Sequence, residues 1–151
     1  MRLQPPLALL LCLSLCMLAR AEDTARGENG RSDEQLMQGS WKVVKRVKNG
    51  QTEDAAEHPT TLKFSGKNIT EIRDGKPGKE GAFTLDATKT PKRITLKGTK
   101  GDDAEKVFEA IYEIDGNTMK LAYSVGEHAN TPPKDFSGAE CGLLVLERER
   151  S

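Results

Sequence analysis

Cysteine is scarce in this chain of 151 residues, which contains only three. Cys12 and Cys16 fall in a segment that we predict to be removed, so Cys141 remains alone and no intrachain disulfide can form. No histidine lies near Cys141 in the sequence to act as its base. We therefore interpret Cys141 as a small, buried apolar residue rather than a nucleophile.

Long apolar runs are scarce as well, since the only one extends from Leu7 to Leu18. Arg2 precedes this run, and Ala19-Arg20-Ala21 follows it with the small-x-small pattern of a signal-peptidase site. The run is too short to cross a bilayer as a permanent helix. Residues 1–21 therefore predict a signal peptide, an exported protein that is periplasmic or secreted, and no stable membrane insertion.

Neither sign of charge is in excess, because the chain has 23 basic and 23 acidic residues. Loss of the predicted signal peptide removes Arg2 and Arg20 and no acid, which leaves 21 minus 23, a net charge of −2. A nearly neutral, evenly mixed surface has no electrostatic reason to bind nucleic acid or anionic lipid. We predict no nucleic-acid partner, and the sequence indicates no particular protein partner.

Recognisable catalytic motifs are absent from the sequence. No serine lies in a nucleophile elbow, and the sequence contains neither a Gly-rich phosphate loop nor a pair of cysteines spaced to bind a metal. We therefore predict no enzymatic activity and no cofactor. His58 and His128 are weak candidates for a zinc site, because both lie in long connections but no local spacing links them.

What the chain does contain is a series of short alternating segments separated by Gly and Pro. Residues 22–31 predict a disordered leader, and the capping box from Ser32 to Gln35 predicts a short helix that Gly39 ends. One domain, residues 32–151, then holds eight predicted strands: Trp41–Val47, Thr61–Phe64, Asn68–Ile72, Ala82–Leu85, Arg93–Leu96, Val107–Ile114, Thr118–Tyr123 and Gly142–Arg148.

The predicted connections alternate between short and long. Those after the second, fourth and sixth strands are short, whereas those at about 49–60, 73–81, 97–106 and 124–141 are longer. In an antiparallel meander the two sets lie at opposite ends of the strands. The pattern therefore predicts an all-β, eight-stranded antiparallel up-and-down barrel with a tight end and a loop-rich end. A two-sheet sandwich is the competing architecture.

Trp41, the only tryptophan, begins the first predicted strand and shares one face with Val43 and Val47. In a closed barrel the last strand pairs antiparallel with the first, which brings Arg148 to the level of Trp41. We predict that Arg148 stacks on Trp41 and that this pair closes the tight end. The alternative is a Trp41 packed on the short helix without Arg148.

Several motifs resemble a known family. Gly39-Ser40-Trp41 after a short helix, an eight-strand meander and a late basic residue are similar to the lipocalin superfamily. The whole stretch from residue 33 to 150 resembles more closely a bacterial, planctomycete-type family of exported lipocalin-like domains. The likeness rests on Leu62-x-Phe64-x-Gly66, Phe83-x-Leu85-Asp86-x-Thr88-Lys89-x-Pro91-Lys92-x-Ile94, Ile111-Tyr112-Glu113-x-Asp115-Gly116-x-Thr118-Met119-Lys120-Leu121, Pro133-x-x-Phe136 and Leu146-Glu147-Arg148.

This resemblance implies a lipocalin-like barrel but supplies no ligand or catalytic residue to carry over. The chain also departs from the family pattern, with Ala122 in place of a cysteine and Pro132-Pro133 in place of Arg-Pro. Any role of that cysteine or arginine is absent here.

The interior of the predicted barrel leaves two functions open. One is the binding of a small hydrophobic molecule, and the other is a filled barrel that interacts through its long loops. A volume of several hundred Å³ at the loop-rich end would favour the first. The residues expected to line such a site are Phe64, Phe83, Phe108, Tyr112, Met119 and Tyr123.

Overall fold

The computed structural model describes residues 30–150. The predicted signal peptide and all but the last two residues of the predicted leader lie outside this range. Among the described residues, no helix combines the length and the apolar character needed to cross a membrane.

The first element is the short helix α1, Asp33–Met37. Its capping box is present: the Gln35 amide donates to Ser32 Oγ at 3.3 Å, and the Ser32 amide donates to Gln35 Oε1 at 3.0 Å. These bonds satisfy two amides at the start of the helix. Gly39 ends it with a φ of 110°, a conformation that disfavours residues with a side chain. The predicted short N-terminal helix is confirmed.

The described residues hold nine strands, and eight of them form one closed antiparallel barrel in which each strand pairs with the next and the last pairs with the first. The three-residue β2, which the sequence reasoning placed in a loop, extends β1 as a small hairpin. The up-and-down barrel is confirmed and the sandwich is excluded. The strands are β1 Gly39–Lys48, β2 Gln51–Glu53, β3 Thr60–Ser65, β4 Asn68–Arg73, β5 Lys76–Asp86, β6 Lys92–Gly98, β7 Val107–Asp115, β8 Thr118–Tyr123 and β9 Gly142–Arg148.

The two ends of the barrel differ as predicted, with one exception. The connection between β4 and β5 is a two-residue turn, Asp74-Gly75, rather than a long loop over 73–81. Both turn residues have positive φ, 51° and 73°, which matches a type I′ hairpin. The loop prediction over 73–81 is therefore wrong. Pro77 and Gly78 are typical of loops, whereas here they lie in β5, directly after an Asp-Gly turn.

A β-bulge in β1 changes which side chains enter the barrel. The register with β9 shifts between Val43 and Lys45, so one extra residue is inserted there. Every later residue of β1 consequently faces the opposite side from the predicted one. Arg46, opposite the interior residue Leu144, faces inward. Val47, opposite Leu143, faces outward, contrary to the prediction that it shares a face with Trp41 and Val43.

The apolar residues form two clusters, one on each face of the sheet. The larger fills the barrel, and the smaller covers the outer face of β7, β8, β9 and β1. Phe136, from the connection between β8 and β9, packs against this outer cluster, which consists of Val47, Ile111, Ala122, Cys141 and Leu143. Cys141 is buried there, and burial raises the pKa of its thiol.

Candidate functional site

The tight end is closed by Trp41, whose side chain is fully buried. Its Nε1 donates to the Met37 carbonyl at 2.8 Å. The Arg148 guanidinium lies over the indole, with Cζ 4.2 Å from the ring centroid, and donates to the carbonyl of Gln38 at 2.6 Å and to that of Leu36. The carbonyls of Leu36, Met37 and Gln38 have no partner within the helix because α1 ends there. The side chains of Trp41 and Arg148 supply the missing donors.

Gly39 leaves room for this arrangement. A Cβ at Gly39 would lie 3.3 Å from Nη1 of Arg148, in addition to the unfavourable φ. The Gly-x-Trp motif and Arg148 therefore act together: the glycine admits the guanidinium, and the indole supports it. Arg148 stacks on Trp41 as predicted, and the alternative of an indole packed on the helix without Arg148 is wrong, although the indole also bonds to the main chain of α1.

A buried polar cluster joins α1 to the barrel at the same end. The Asp33 carboxylate, 4% exposed, accepts a hydrogen bond from the Tyr112 hydroxyl at 2.8 Å and one from Lys92 Nζ at 2.7 Å. Burial, and then the hydrogen bond to Asp33, raise the pKa of Tyr112 well above its usual value. Tyr112 was predicted to line a ligand site, but its hydroxyl is committed to Asp33 at the tight end.

Three further predicted ligand residues also belong to the packed part of the barrel. Phe64 and Phe83 meet edge to face with ring centroids 5.3 Å apart, and Met119 is fully buried in the same cluster. None of Phe64, Phe83, Tyr112 and Met119 lines the cavity described next. Their side chains fill the half of the barrel nearest to Trp41, where inward residues of all strands converge.

A cavity of about 280 Å³ occupies the other half of the barrel, at the loop-rich end. Its size is close to the lower limit of small-molecule pockets, roughly 300 Å³. Of the predicted ligand residues, Phe108 and Tyr123 line it. Its remaining apolar wall consists of Leu62, Ile69, Leu96, Leu121 and Leu144. Ile69, Leu96, Phe108 and Tyr123 are only half-buried, so apolar surface is left uncovered inside the barrel.

Paired glycines and a folded-back loop shape one side of this cavity. Gly81 and Gly98 lie opposite each other on β5 and β6 and both line it. A Cβ at Gly98 would lie 1.8 Å from the Asp103 carbonyl oxygen. The absence of side chains therefore lets the connection 99–106 close against the barrel wall.

Seven charged residues line the cavity, and six of them take part in ion pairs. Arg73 lies 2.7 Å from Glu71, and Lys79 lies 2.6 Å from Asp103. The other two lining charges pair with residues outside the cavity, Lys97 with Glu105 at 2.6 Å and Glu80 with Lys100 at 2.7 Å. The seventh lining charge, Arg46, forms no ion pair within 4.0 Å among residues 30–150, although Glu53 lies opposite it in the register of β1 and β2.

Arg46 is held by a neutral partner. Its Nη2 donates to Thr60 Oγ1 at 2.9 Å, and the Thr60 hydroxyl donates in turn to the His58 carbonyl at 2.9 Å. Thr60 is buried, so this chain of hydrogen bonds fixes the guanidinium at the rim. The sequence reasoning missed Arg46 because it assumed unbroken alternation. The signal of the bulge is a break in the alternation of apolar and polar residues. Two adjacent valines, Val43 and Val44, are followed there by two adjacent cations.

Tyr123 is positioned by the glycine opposite it. A Cβ at Gly142 would lie 2.3 Å from Tyr123 Cζ, so the ring lies directly over the Gly142 backbone. The ring thus extends from β8 across β9 toward β1, the strand of Arg46. Burial raises the pKa of Tyr123, and the positive charge of Arg46 opposes that rise. No hydrogen bond joins the Tyr123 hydroxyl to another residue in the described part of the chain.

The two histidines do not assemble a metal site within the described residues. His58 Nδ1 lies 3.7 Å from Asp74 Oδ2 in an exposed contact. His128 ends a 3-10 turn, Gly126–His128, whose next residue bonds to Glu109 of β7. No group of three or more His, Cys, Asp or Glu side chains in residues 30–150 has the geometry to hold a metal ion.

The C-terminal part of the longest connection, residues 136–141, packs against the outer face of the barrel. Gly138 lies over Val47, and its carbonyl accepts a hydrogen bond from the Gly50 amide at 2.7 Å. These residues therefore cover the outer apolar cluster. In comparisons with protein-family models, curated proteins and solved structures, nothing matches this chain. The resemblance to exported lipocalin-like domains stays a prediction.

Proposed function

We propose that this protein binds a small, largely apolar molecule in the cavity at the loop-rich end of its barrel, and that it does so after export. The proposal is supported above all by the cavity itself, which has walls of half-buried aliphatic and aromatic side chains. Covering such surface with a ligand is favourable by about 25 cal/mol per Å². Export is supported by the signal-peptide pattern of residues 1–21.

The alternative function, interaction through the long loops of a filled barrel, has weaker support. The barrel is filled only near Trp41, and residues 136–141 of the longest connection are packed on the outer face. These features favour a ligand in the cavity over a partner on the loops.

Decanol provides a direct test, because it is neutral and almost entirely apolar. We expect the purified protein to bind it with one-to-one stoichiometry in a calorimetric titration. Leu96→Trp, which places a larger side chain in the cavity, should abolish this binding. Thr84→Trp is the matched control, because Thr84 lies on the adjacent strand and is exposed on the outer face. Undiminished binding by a folded Leu96→Trp variant would contradict the proposal.

A further inference from the structure

We propose that the ligand is a small amphipathic monocarboxylate, with its head bound by the Arg46 guanidinium beside the Tyr123 hydroxyl and its apolar tail along the cavity wall. This inference rests on the proposed function and adds the chemistry of the head group. Its basis is the charge pattern of the cavity, in which Arg46 is the one lining charge among residues 30–150 without an opposite charge within 4.0 Å. Glu53, opposite Arg46 in the register of β1 and β2, is exposed and forms no ion pair with it.

The surroundings of Arg46 favour an anion. A guanidinium has five N–H donors, and one of them is used on the neutral Thr60 hydroxyl. A cation at the rim of an apolar cavity has lost part of its hydration. An anion that forms charge-assisted hydrogen bonds with it compensates best for that loss. A carboxylate matches the planar fork of donors in a bidentate contact. The Thr60–His58 chain orients that fork before any ligand arrives.

Tyr123 supplies a second donor in the same region. Its ring is held over Gly142 and directed toward β1, so its hydroxyl lies on the Arg46 side of the cavity. A tyrosine hydroxyl is protonated at neutral pH, and burial raises the pKa of Tyr123 further, so the group is a donor there rather than an anion. A carboxylate oxygen could thus accept from Tyr123 while the guanidinium holds the same head group.

The rest of the rim argues against a cationic ligand. The three acidic lining residues already have partners: Glu71 pairs with Arg73, Glu80 with Lys100, and Asp103 with both Lys79 and Lys106. An ammonium head would have to displace one of these cations. A single unmatched cation among the lining residues also favours one negative charge on the ligand over two.

The test compares three ligands that share a tail: decanoate, decanol and decylammonium. In calorimetric titrations of the wild-type protein, we expect decanoate to bind roughly tenfold or more tightly than decanol, because a charge-assisted hydrogen bond is gained. Decylammonium should bind more weakly than decanol. Equal affinities for decanoate and decanol would overturn the inference and leave the proposed function intact. If neither bound, the proposed function itself would fail.

Arg46→Gln tests the head-group contact directly. It should weaken decanoate at least tenfold and leave decanol unchanged, and Tyr123→Phe should weaken decanoate by a few-fold. Lys45→Gln is the control, since it removes a positive charge from the adjacent, outward-facing, exposed residue. An equal loss in Lys45→Gln would mean that overall charge, and not Arg46, binds the head. If Arg46→Gln does not fold, Arg46→Lys should retain a preference for decanoate that is smaller than in the wild type.

Discussion

The two ends of this barrel use the same kinds of residues for opposite purposes. At the tight end an arginine, a tyrosine and an aspartate are all engaged: Arg148 on α1 carbonyls and Trp41, Tyr112 on Asp33. At the loop-rich end the one hydrogen-bond partner of the Arg46 guanidinium among residues 30–150 is a neutral hydroxyl, and apolar side chains remain half-buried. Satisfied polar groups and dense packing stabilise a fold, whereas incompletely satisfied ones leave binding energy for a ligand.

Side-chain size explains how one barrel supports both ends. The interior near α1 holds the large residues Trp41, Phe64, Phe83 and Tyr112. Glycines occupy inward positions near the mouth, where Gly142 admits the Tyr123 ring and Gly98 admits the connection 99–106. The barrel is therefore full at one end and open at the other.

Among the substitutions that test this difference between the two ends, Trp41→Ala should have the largest effect on stability. Loss of the fully buried indole should lower the free energy of unfolding by about 3–5 kcal/mol, because it leaves a cavity under α1 and an Arg148 without its support. Urea unfolding followed by circular dichroism measures this. Val44→Ala, at a position of β1 that is 41% exposed, should change stability by at most about 0.5 kcal/mol. Equal losses in the two variants would refute a specialised tight end.

A smaller effect is expected from Arg148→Met, which keeps an apolar chain over the indole but removes the donors to Leu36 and Gln38. The two carbonyls lose their partners, at a cost of about 1–3 kcal/mol. Arg150→Met is the control, because Arg150 is exposed. Hydrogen exchange should localise the loss to α1 and the start of β1, and uniform loss of protection would argue against this role.

The smallest effect compares the two tyrosines. Tyr112→Phe removes the hydrogen bond to Asp33 and should cost about 1 kcal/mol at neutral pH. Tyr123→Phe, which loses no hydrogen bond to a described residue, should cost less than about 0.5 kcal/mol. Urea unfolding of both variants beside the wild type tests the difference. A larger loss of stability in Tyr123→Phe than in Tyr112→Phe would contradict the structural role assigned to Tyr112.

The pH dependence of Tyr112 sharpens the same comparison. Its folded-state pKa lies above that of the unfolded chain, so its contribution is complete below about pH 10 and is lost as the pH rises beyond that value. Stability should therefore decline in alkali, and Tyr112→Phe should make that decline shallower. An unchanged slope in the variant would show that Tyr112 does not contribute to it.

The elements that depend on residues close together in the sequence could be predicted from the sequence alone. The capping box from Ser32 to Gln35 specified α1, and strand alternation with its turn signals specified the barrel. Closure of β1 on β9 followed from the strand count, and it brought Trp41 opposite Arg148 in register. These features lie within a few residues of one another or follow from the order of strands, so the sequence alone was sufficient.

The cavity residues could not be read in the same way. The bulge at Val43 to Lys45 depends on how β1 pairs with β9, and it reversed the faces of Arg46 and Val47. Likewise, only the pairing of β4 with β5 revealed that Pro77 lies in a strand. The sequence by itself therefore determined the barrel and its closed end, because capping, alternation and turns are local. The tertiary structure decided which side chains line the open end, because register and bulges are set by partners distant in the chain.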